Sequence, residues 1–339
     1  FSLCHLGQSS LPTSDQIPWP SSRLVKKLDR KKRYVIIKNK KIVLLSLMMV
    51  SLFVSMPAYA ASKIKQVDAG FNKTFILRDN GKFEYTKPFS SYGEGNISNV
   101  QKIAAVGRDG YVALLKDGTV IRSSTFSNSS LGWSNIKEID TNTDTSDDLI
   151  VGLREDGTVV VNSVLFKENF SEVESWDSIK QISVGQGAIL GLKEDGTVVS
   201  AGTSTSGALD VSEWSDIVQV SAGHNFSVGV KSDGSVVVTD VKNSYSSDYN
   251  SILDQVKGWD NISQISAGAF NVIGLKRDGT VVEAHKNSGN VKYDISGWTN
   301  IIQVSAGFQH IVALSSDGTV YATGDNVMSQ SDMKNFNKK

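Results

Sequence analysis

An Asn-Gly or Asp-Gly dipeptide stands at seven nearly evenly spaced positions along the chain: Asn80-Gly81, Asp117-Gly118, Asp156-Gly157, Asp195-Gly196, Asp233-Gly234, Asp278-Gly279 and Asp317-Gly318. Successive glycines stand 37, 39, 39, 38, 45 and 39 residues apart. A fixed period of this length marks a repeat architecture, which constrains the fold more tightly than local propensity does. Alternating apolar stretches flank each dipeptide, as IIQVSAG, IVALSS and TVYATG do around Asp317-Gly318. Such alternation beside Asp-Gly signals a hairpin, and the pair suits the positive φ angles of a type I′ turn. Each unit therefore reads as a small antiparallel sheet.

One such sheet cannot bury both of its faces, whereas seven set radially cover one another and line a channel with their inner edges. The expected fold is all-β, a seven-bladed β-propeller built from seven repeats of about 39 residues. Each repeat holds three antiparallel strands, and a fourth is a tight fit. Trp176, Trp214, Trp259 and Trp298 each stand nine residues before the corner glycines Gly185, Gly223, Gly268 and Gly307, and Trp133 takes that slot in a unit with an insertion. Recurrence at a fixed slot reads as inter-blade core. Nine residues before Gly70 lies Ala61, while SDMKNF near the end aligns with LDVSEW and puts Phe336 in the tryptophan slot. The tail 325–339 is therefore expected to supply the missing start of the first unit and close the ring, leaving no open edge.

Units such as DISGWTNIIQVSAGFQHIVALSSDGTVYATGDN resemble the regulator of chromosome condensation repeat family in its short bacterial secreted form. They are also similar to the propeller-type β-lactamase inhibitory proteins. The resemblance spans residues 61–339 and implies seven blades, with three strands each in the inhibitor branch. It transmits no single function, because the family includes a nucleotide-exchange factor, enzyme inhibitors and many binding modules.

Residues 1–60 have a different character. Lys38, Lys40 and Lys41 precede the uncharged run 42–54, and Pro57-Ala58-Tyr59-Ala60-Ala61 follows. A basic region, an apolar run and an Ala-x-Ala signal make a secretory signal peptide with cleavage after Ala60. The run is short for a membrane span. The segment before Lys38 reads as upstream translated sequence, with a start near Val35. The expected organisation is thus an extension plus signal peptide over 1–60, one propeller over 61–339, and a secreted or cell-envelope location. Residues 1–60 hold 10 of the 35 Lys and Arg and 2 of the 35 Asp and Glu, so residues 61–339 carry a net charge of about −8. That balance argues against a nucleic-acid partner, which needs basic surface to replace counterions. The one cysteine, Cys4, also falls in the leading segment.

Catalytic constellations are missing from the sequence: it has no H-E-x-x-H, no G-x-S-x-G, no P-loop and no cysteine cluster. The slot of His310, seven residues before the turn aspartate, holds Lys73, Gly110, Leu149, Ala188, Phe226 and Asn271 in the other units. Chemistry is not repeated there, so His310 is expected to be a scaffold residue. No enzyme activity, cofactor or metal is expected. The acidic corner 140–148 holds one calcium candidate, Asp140, Asn142 and Asp144 at alternate positions, but Thr145 and Val151 stand where a calcium loop needs glycine and glutamate.

Recognition is expected on the face of the corner loops, which vary, rather than on the uniform Asp-Gly face. The candidate partner-binding residues are Phe71, Asn72, Arg108, Asp109, Gln186, His224, Asn225, Phe270, Phe308 and Gln309 at the corners, with Tyr245 and Tyr249 from the longest connection. Phe89, Tyr92, Phe126, Phe166, Phe170 and Tyr293 lie on other connections of that face. Aromatic side chains among Ser and Asn on loops suit protein binding. The expectation is a monomeric, secreted, non-enzymatic propeller that binds an exported or cell-wall protein, inhibition of a β-lactamase or penicillin-binding enzyme being one version. The rival reading is a glycan-binding or adhesion propeller.

Overall fold

The computed structural model describes residues 62–338 apart from 88–90, 124–127, 144–147, 164–166, 204–205, 243–245, 287–290 and 335. The expected signal segment and its cleavage point lie outside the described residues. Seven antiparallel sheets follow one another along the chain, each ordered from inner to outer strand. Blade one is Ile64–Ala69, Thr74–Arg78, Phe83–Lys87 and Ser91–Glu94, and blade two is Val100–Val106, Gly110–Leu115, Val120–Ser123 and Asn128–Ser130. Blades three to seven have three strands, with inner strands Ile136–Thr141, Ile179–Val184, Ile217–Ala222, Ile262–Ala267 and Ile301–Ala306. The fold is a seven-bladed β-propeller.

Middle strands are the driest part of each blade. Thr74–Arg78 and His310–Ser315 are buried along their whole length, because both faces of a middle strand are covered by the neighbouring blades. The five tryptophans lie between blades. Trp176 packs with Leu153 of blade three and Ile182 of blade four, and Trp298 packs with Leu275 of blade six and Val304 of blade seven. A glycine of the middle strand makes room for four of the rings. A Cβ built at Gly152, Gly191, Gly229 or Gly274 would meet the ring of Trp133, Trp176, Trp214 or Trp259 at 2.9–3.0 Å.

The turn differs from the expected type I′. Only its glycine has positive φ, from 78° at Gly81 to 90° at Gly234. The preceding residue stays right-handed, as in a type I turn followed by a glycine bulge. Its side chain accepts the N–H two residues on: Asp117 Oδ1 from Thr119 at 3.0 Å and Asp278 Oδ1 from Thr280 at 2.9 Å. These bonds hold the turn aspartates below the usual carboxylate range, which marks them as turn-formers.

Blades are joined by side chains, because the backbone groups on the inner edge of each sheet find no strand to pair with. A glutamine amide offers an acceptor and a donor at nearly the spacing of a peptide group. Gln219 Oε1 accepts from Ile265 N at 2.8 Å, and its Nε2 donates to Ile265 O at 3.0 Å. Gln66, Gln181 and Gln264 treat Ile103, Val220 and Val304 in the same way. Gln303 reaches Val67 N at 3.0 Å across the joint between blades seven and one. Blades two and three instead use an ion pair, Lys102 to Glu138 at 3.2 Å. A second row of latches uses Ser183, Ser221, Ser266 and Ser305, whose Oγ atoms accept from Ala222, Ala267, Ala306 and Ala69 at 2.9–3.0 Å. Corner glycines let the blades approach. A Cβ at Gly185, Gly268 or Gly307 would lie 2.0–2.4 Å from the carbonyl oxygen of the next blade's corner glycine.

The tail sits between the last blade and the first. Phe336 and Met333 are buried with Val67 and Ile76 of blade one and Val312, Leu314 and Val320 of blade seven. Asn337 bonds both the N–H and the carbonyl of Val320 at 2.9 Å.

Candidate functional site

At the corners, the two residues after the glycine project beyond the blade, where neighbouring strands no longer cover them. Apolar rings in that position can be shielded only by one another. Phe71, Phe308 and Phe270 come from blades one, seven and six, which are neighbours in the ring. Phe71 and Phe308 stack with centroids 4.0 Å apart, and Phe270 meets Phe308 edge-on at 5.3 Å. His224 of blade five lies 5.9 Å from Phe270 and 6.5 Å from Phe308. Arg108 of blade two caps Phe71 at 5.6 Å, and Lys286 caps Phe270 at 5.7 Å. The result is a ridge running from blade two to blade five.

Backbone bonds between corners set the ridge in place: Phe308 N donates to Gly70 O at 3.1 Å, and Ala269 N donates to Gly307 O at 3.4 Å. Each ring pair contributes about 0.5–1.5 kcal/mol beyond its burial. The side chains are therefore ordered before any partner arrives, which lowers the entropic cost of binding.

The structure thus assembles Phe71, Arg108, His224, Phe270 and Phe308 of the candidate set. Asn72, Asp109, Asn225 and Gln309 lie on the same corners, Asp109 paired with Lys73 at 3.4 Å, but none joins a ring contact. Gln186 is on the channel wall. Tyr249 is corrected: it is 3% exposed and stacks on Phe270 at 5.9 Å. The reason is a helix, Ser246–Val256, in a stretch expected to be loop. Its buried residues Tyr249, Ile252, Leu253 and Val256 follow the helical spacing of an apolar stripe, a signal present in the sequence. Tyr245, Phe89, Phe126 and Phe166 lie outside the described residues. Tyr293 is half-buried against His285, ring centroids 4.3 Å apart, and Phe170 is buried in the core between blades three and four. Lys286 belongs to the ridge and was missed, because nothing in its local sequence marks it.

Beneath the ridge the channel opens into a chamber of about 140 Å³ whose lining includes Phe308 and His224. Its walls are the small residues of the inner strands, the latch serines, and two carboxylates. Asp68 Oδ2 accepts from Ala105 N at 2.7 Å, and Asp140 Oδ2 accepts from Val184 N at 2.8 Å. Burial pushes Asp68 up to about 6 and Asp140 up to about 7, and Lys102 opposes this only in part. The calcium candidate does not assemble as a loop. Asp140 points to the channel latch, Asn142 Oδ1 accepts from Leu149 N at 3.0 Å, and Asp144 lies outside the described residues. Among the described residues no group of three His, Cys, Asp or Glu is placed to hold a metal.

His310 is fully buried. Its Nε2 lies 3.1 Å from Thr74 Oγ1, and that hydroxyl donates to Gln330 O at 2.7 Å. With its proton committed to Gln330, Thr74 can only accept, so His310 carries its proton on Nε2. Burial pushes the ring down to about 4, which keeps it neutral. The residue ties blade seven to blade one and the tail.

Comparison with known proteins agrees with this architecture. Residues 301–330 match the model of the regulator of chromosome condensation (RCC1) repeat. That segment is the seventh statement of the unit that builds every blade, so one repeat of the ring matches the RCC1-repeat model directly. Among solved structures, the CRINKLY WD40 ectodomain of the Arabidopsis thaliana receptor kinase ACR4 superimposes with a TM-score of 0.59 at 13% identity, covering 79% of this chain and 97% of that one. The ectodomain of the Physcomitrella patens receptor kinase CR4 gives 0.54 at 12% identity, covering 78% and 74%. These likenesses are of fold. No curated protein matches the chain in sequence. Among the described residues no helix is long and apolar enough to cross a membrane.

Proposed function

We propose that the chain is an exported, monomeric, non-enzymatic propeller that binds a protein partner through the ridge of Phe71, Phe308, Phe270, His224 and Arg108. The observation that carries this reading is the preassembly of rings from four blades on the face whose loops vary, while the opposite face repeats one turn seven times. Export rests on the basic, apolar and Ala-x-Ala pattern before Ala61. Inhibition of a β-lactamase or penicillin-binding enzyme is a specific form of the proposal suggested by family resemblance, and those enzymes belong among the partners tried.

The ridge is less suited to glycans, because a sugar stacks on an open ring face. One face of Phe71 is covered by Phe308 and the ring is capped by Arg108, while Phe270 is stacked on Tyr249 and capped by Lys286.

The test is affinity capture from exported and cell-wall proteins, repeated with Phe71→Ala/Phe308→Ala. A central aromatic anchor contributes about 2 kcal/mol or more to binding, so affinity should fall roughly thirtyfold or more. Full retention of the captured partner by the double variant would remove the ridge from the proposal. A glycan array with and without calcium checks the rival, and light scattering checks the monomer.

A further inference from the structure

The two chamber carboxylates stand where the other blades show that charge is unnecessary. The latch needs one acceptor oxygen, and Ser183, Ser221, Ser266 and Ser305 supply it in blades four to seven. Asp68 and Asp140 do the same task in blades one and three with an ionisable carboxyl group, which can take a negative charge that serine cannot. Blade two, between them, has Ala104 in the chamber wall. At the latch position of the blade between the two acidic ones the wall thus carries a methyl group and no acceptor. Neither carboxylate has an ion-pair partner among the described residues, and the nearby Lys102 is engaged by Glu138 at 3.2 Å. Two ring side chains, Phe308 and His224, also line the chamber.

Two carboxyl groups and several serine hydroxyls lining one chamber match a cation that donates hydrogen bonds to oxygen acceptors. The volume of about 140 Å³ admits an aminoalkyl group and excludes a nucleotide or disaccharide. A divalent metal would want a third charged ligand, and among the described residues none is grouped with these two. We infer that the chamber binds an organic primary ammonium group, presented by a free alkylamine or by a lysine side chain of another protein. The inference stands on the channel alone, so it can hold whether or not the ridge binds a partner.

The experiment is an NMR titration of the isolated protein with butylammonium chloride, with sodium chloride and butanol as controls and Nα-acetyl-lysine methylamide as a second probe. Saturable shifts at Ala104 and Phe308 are expected from butylammonium and not from the controls. Shifts from the lysine derivative as well would show that a side chain can be the source; shifts from butylammonium alone would assign a free amine. Asp68→Ser and Asp140→Ser, which retain the serine latch of the other blades, should each weaken binding at least tenfold, and the double variant should abolish it. Asp68→Asn/Asp140→Asn, which keeps an acceptor at the same reach, should lose binding equally and covers a failure of the serine variants to fold. Absence of any shift in the wild type, or an unchanged titration in either double variant, would overturn the inference; so would binding of calcium with no response to the amines.

Discussion

Replacing Phe336 by alanine tests how the ring is closed. The side chain is 3% exposed, between Val67 and Ile76 of blade one and Val312, Leu314 and Val320 of blade seven. It fills the slot that a tryptophan fills elsewhere. In four of those slots the ring lies over glycine, whereas here the smaller ring shares its cluster with Ile76, so summed volume is roughly kept. Truncating a buried phenylalanine costs about 3–5 kcal/mol. The tail would stay attached through Asn337 and Gln330, leaving a cavity, so a loss of about 3 kcal/mol is expected. For a domain of this size that corresponds to a fall in Tm of roughly 6–12 °C. Thermal unfolding of residues 61–339 followed by circular dichroism measures it. Deleting 327–339 removes Met333 and the Gln330 acceptor as well and should cost more. A shift under about 2 °C for Phe336→Ala, or an unchanged Tm for the deletion, would refute closure by the tail.

Gly268→Ala should destabilise by about 3 kcal/mol, because its Cβ would lie 2.0 Å from Gly307 O and only separation of blades six and seven relieves the clash. Gln219→Leu leaves the N–H and carbonyl of Ile265 without their inter-blade partner; a loss on the order of 2 kcal/mol in urea unfolding is expected. The pH dependence combines opposite signs. His310 is held near 4 when folded and returns to about 6.5 when unfolded, so only the unfolded chain takes up its proton in that window. Roughly 3 kcal/mol is therefore lost as pH falls from 6.5 to 4. Asp68 and Asp140, raised to about 6 and 7, hold protons in the folded state that the unfolded chain releases above 3.8, so stability rises as pH falls through 7 toward 4. With two carboxylates against one imidazole, the wild type should melt higher at pH 5 than at pH 8. Asp68→Asn/Asp140→Asn should reverse the trend below pH 6.5, and a parallel profile in that variant would sink the assignment.

The repeats, the blade number, the tryptophan slots and the scaffold character of His310 were legible in the sequence because each depends on spacing along the chain. The latches were half legible. Q-x-S-A-G or a close variant recurs at 181–185, 219–223, 264–268 and 303–307, with QVDAG at 66–70, yet only the fold shows that these side chains bond the next blade rather than their own. The type I′ expectation failed because the aspartate's bond to the residue two ahead favours a right-handed turn position. The helix Ser246–Val256 was overlooked because a helical stripe lay inside a connection of a β-rich chain.

Local pattern therefore determined the strands, the turns and the number of blades, since alternation and Asp-Gly act within a few residues. The ridge and the chamber were decided by tertiary structure. Their members meet across separations such as the 236 residues between Ser305 and Ala69. Phe71 faces Phe308, and Asp68 shares a cavity with Asp140, only because closure of the ring brings every blade's inner edge to one axis.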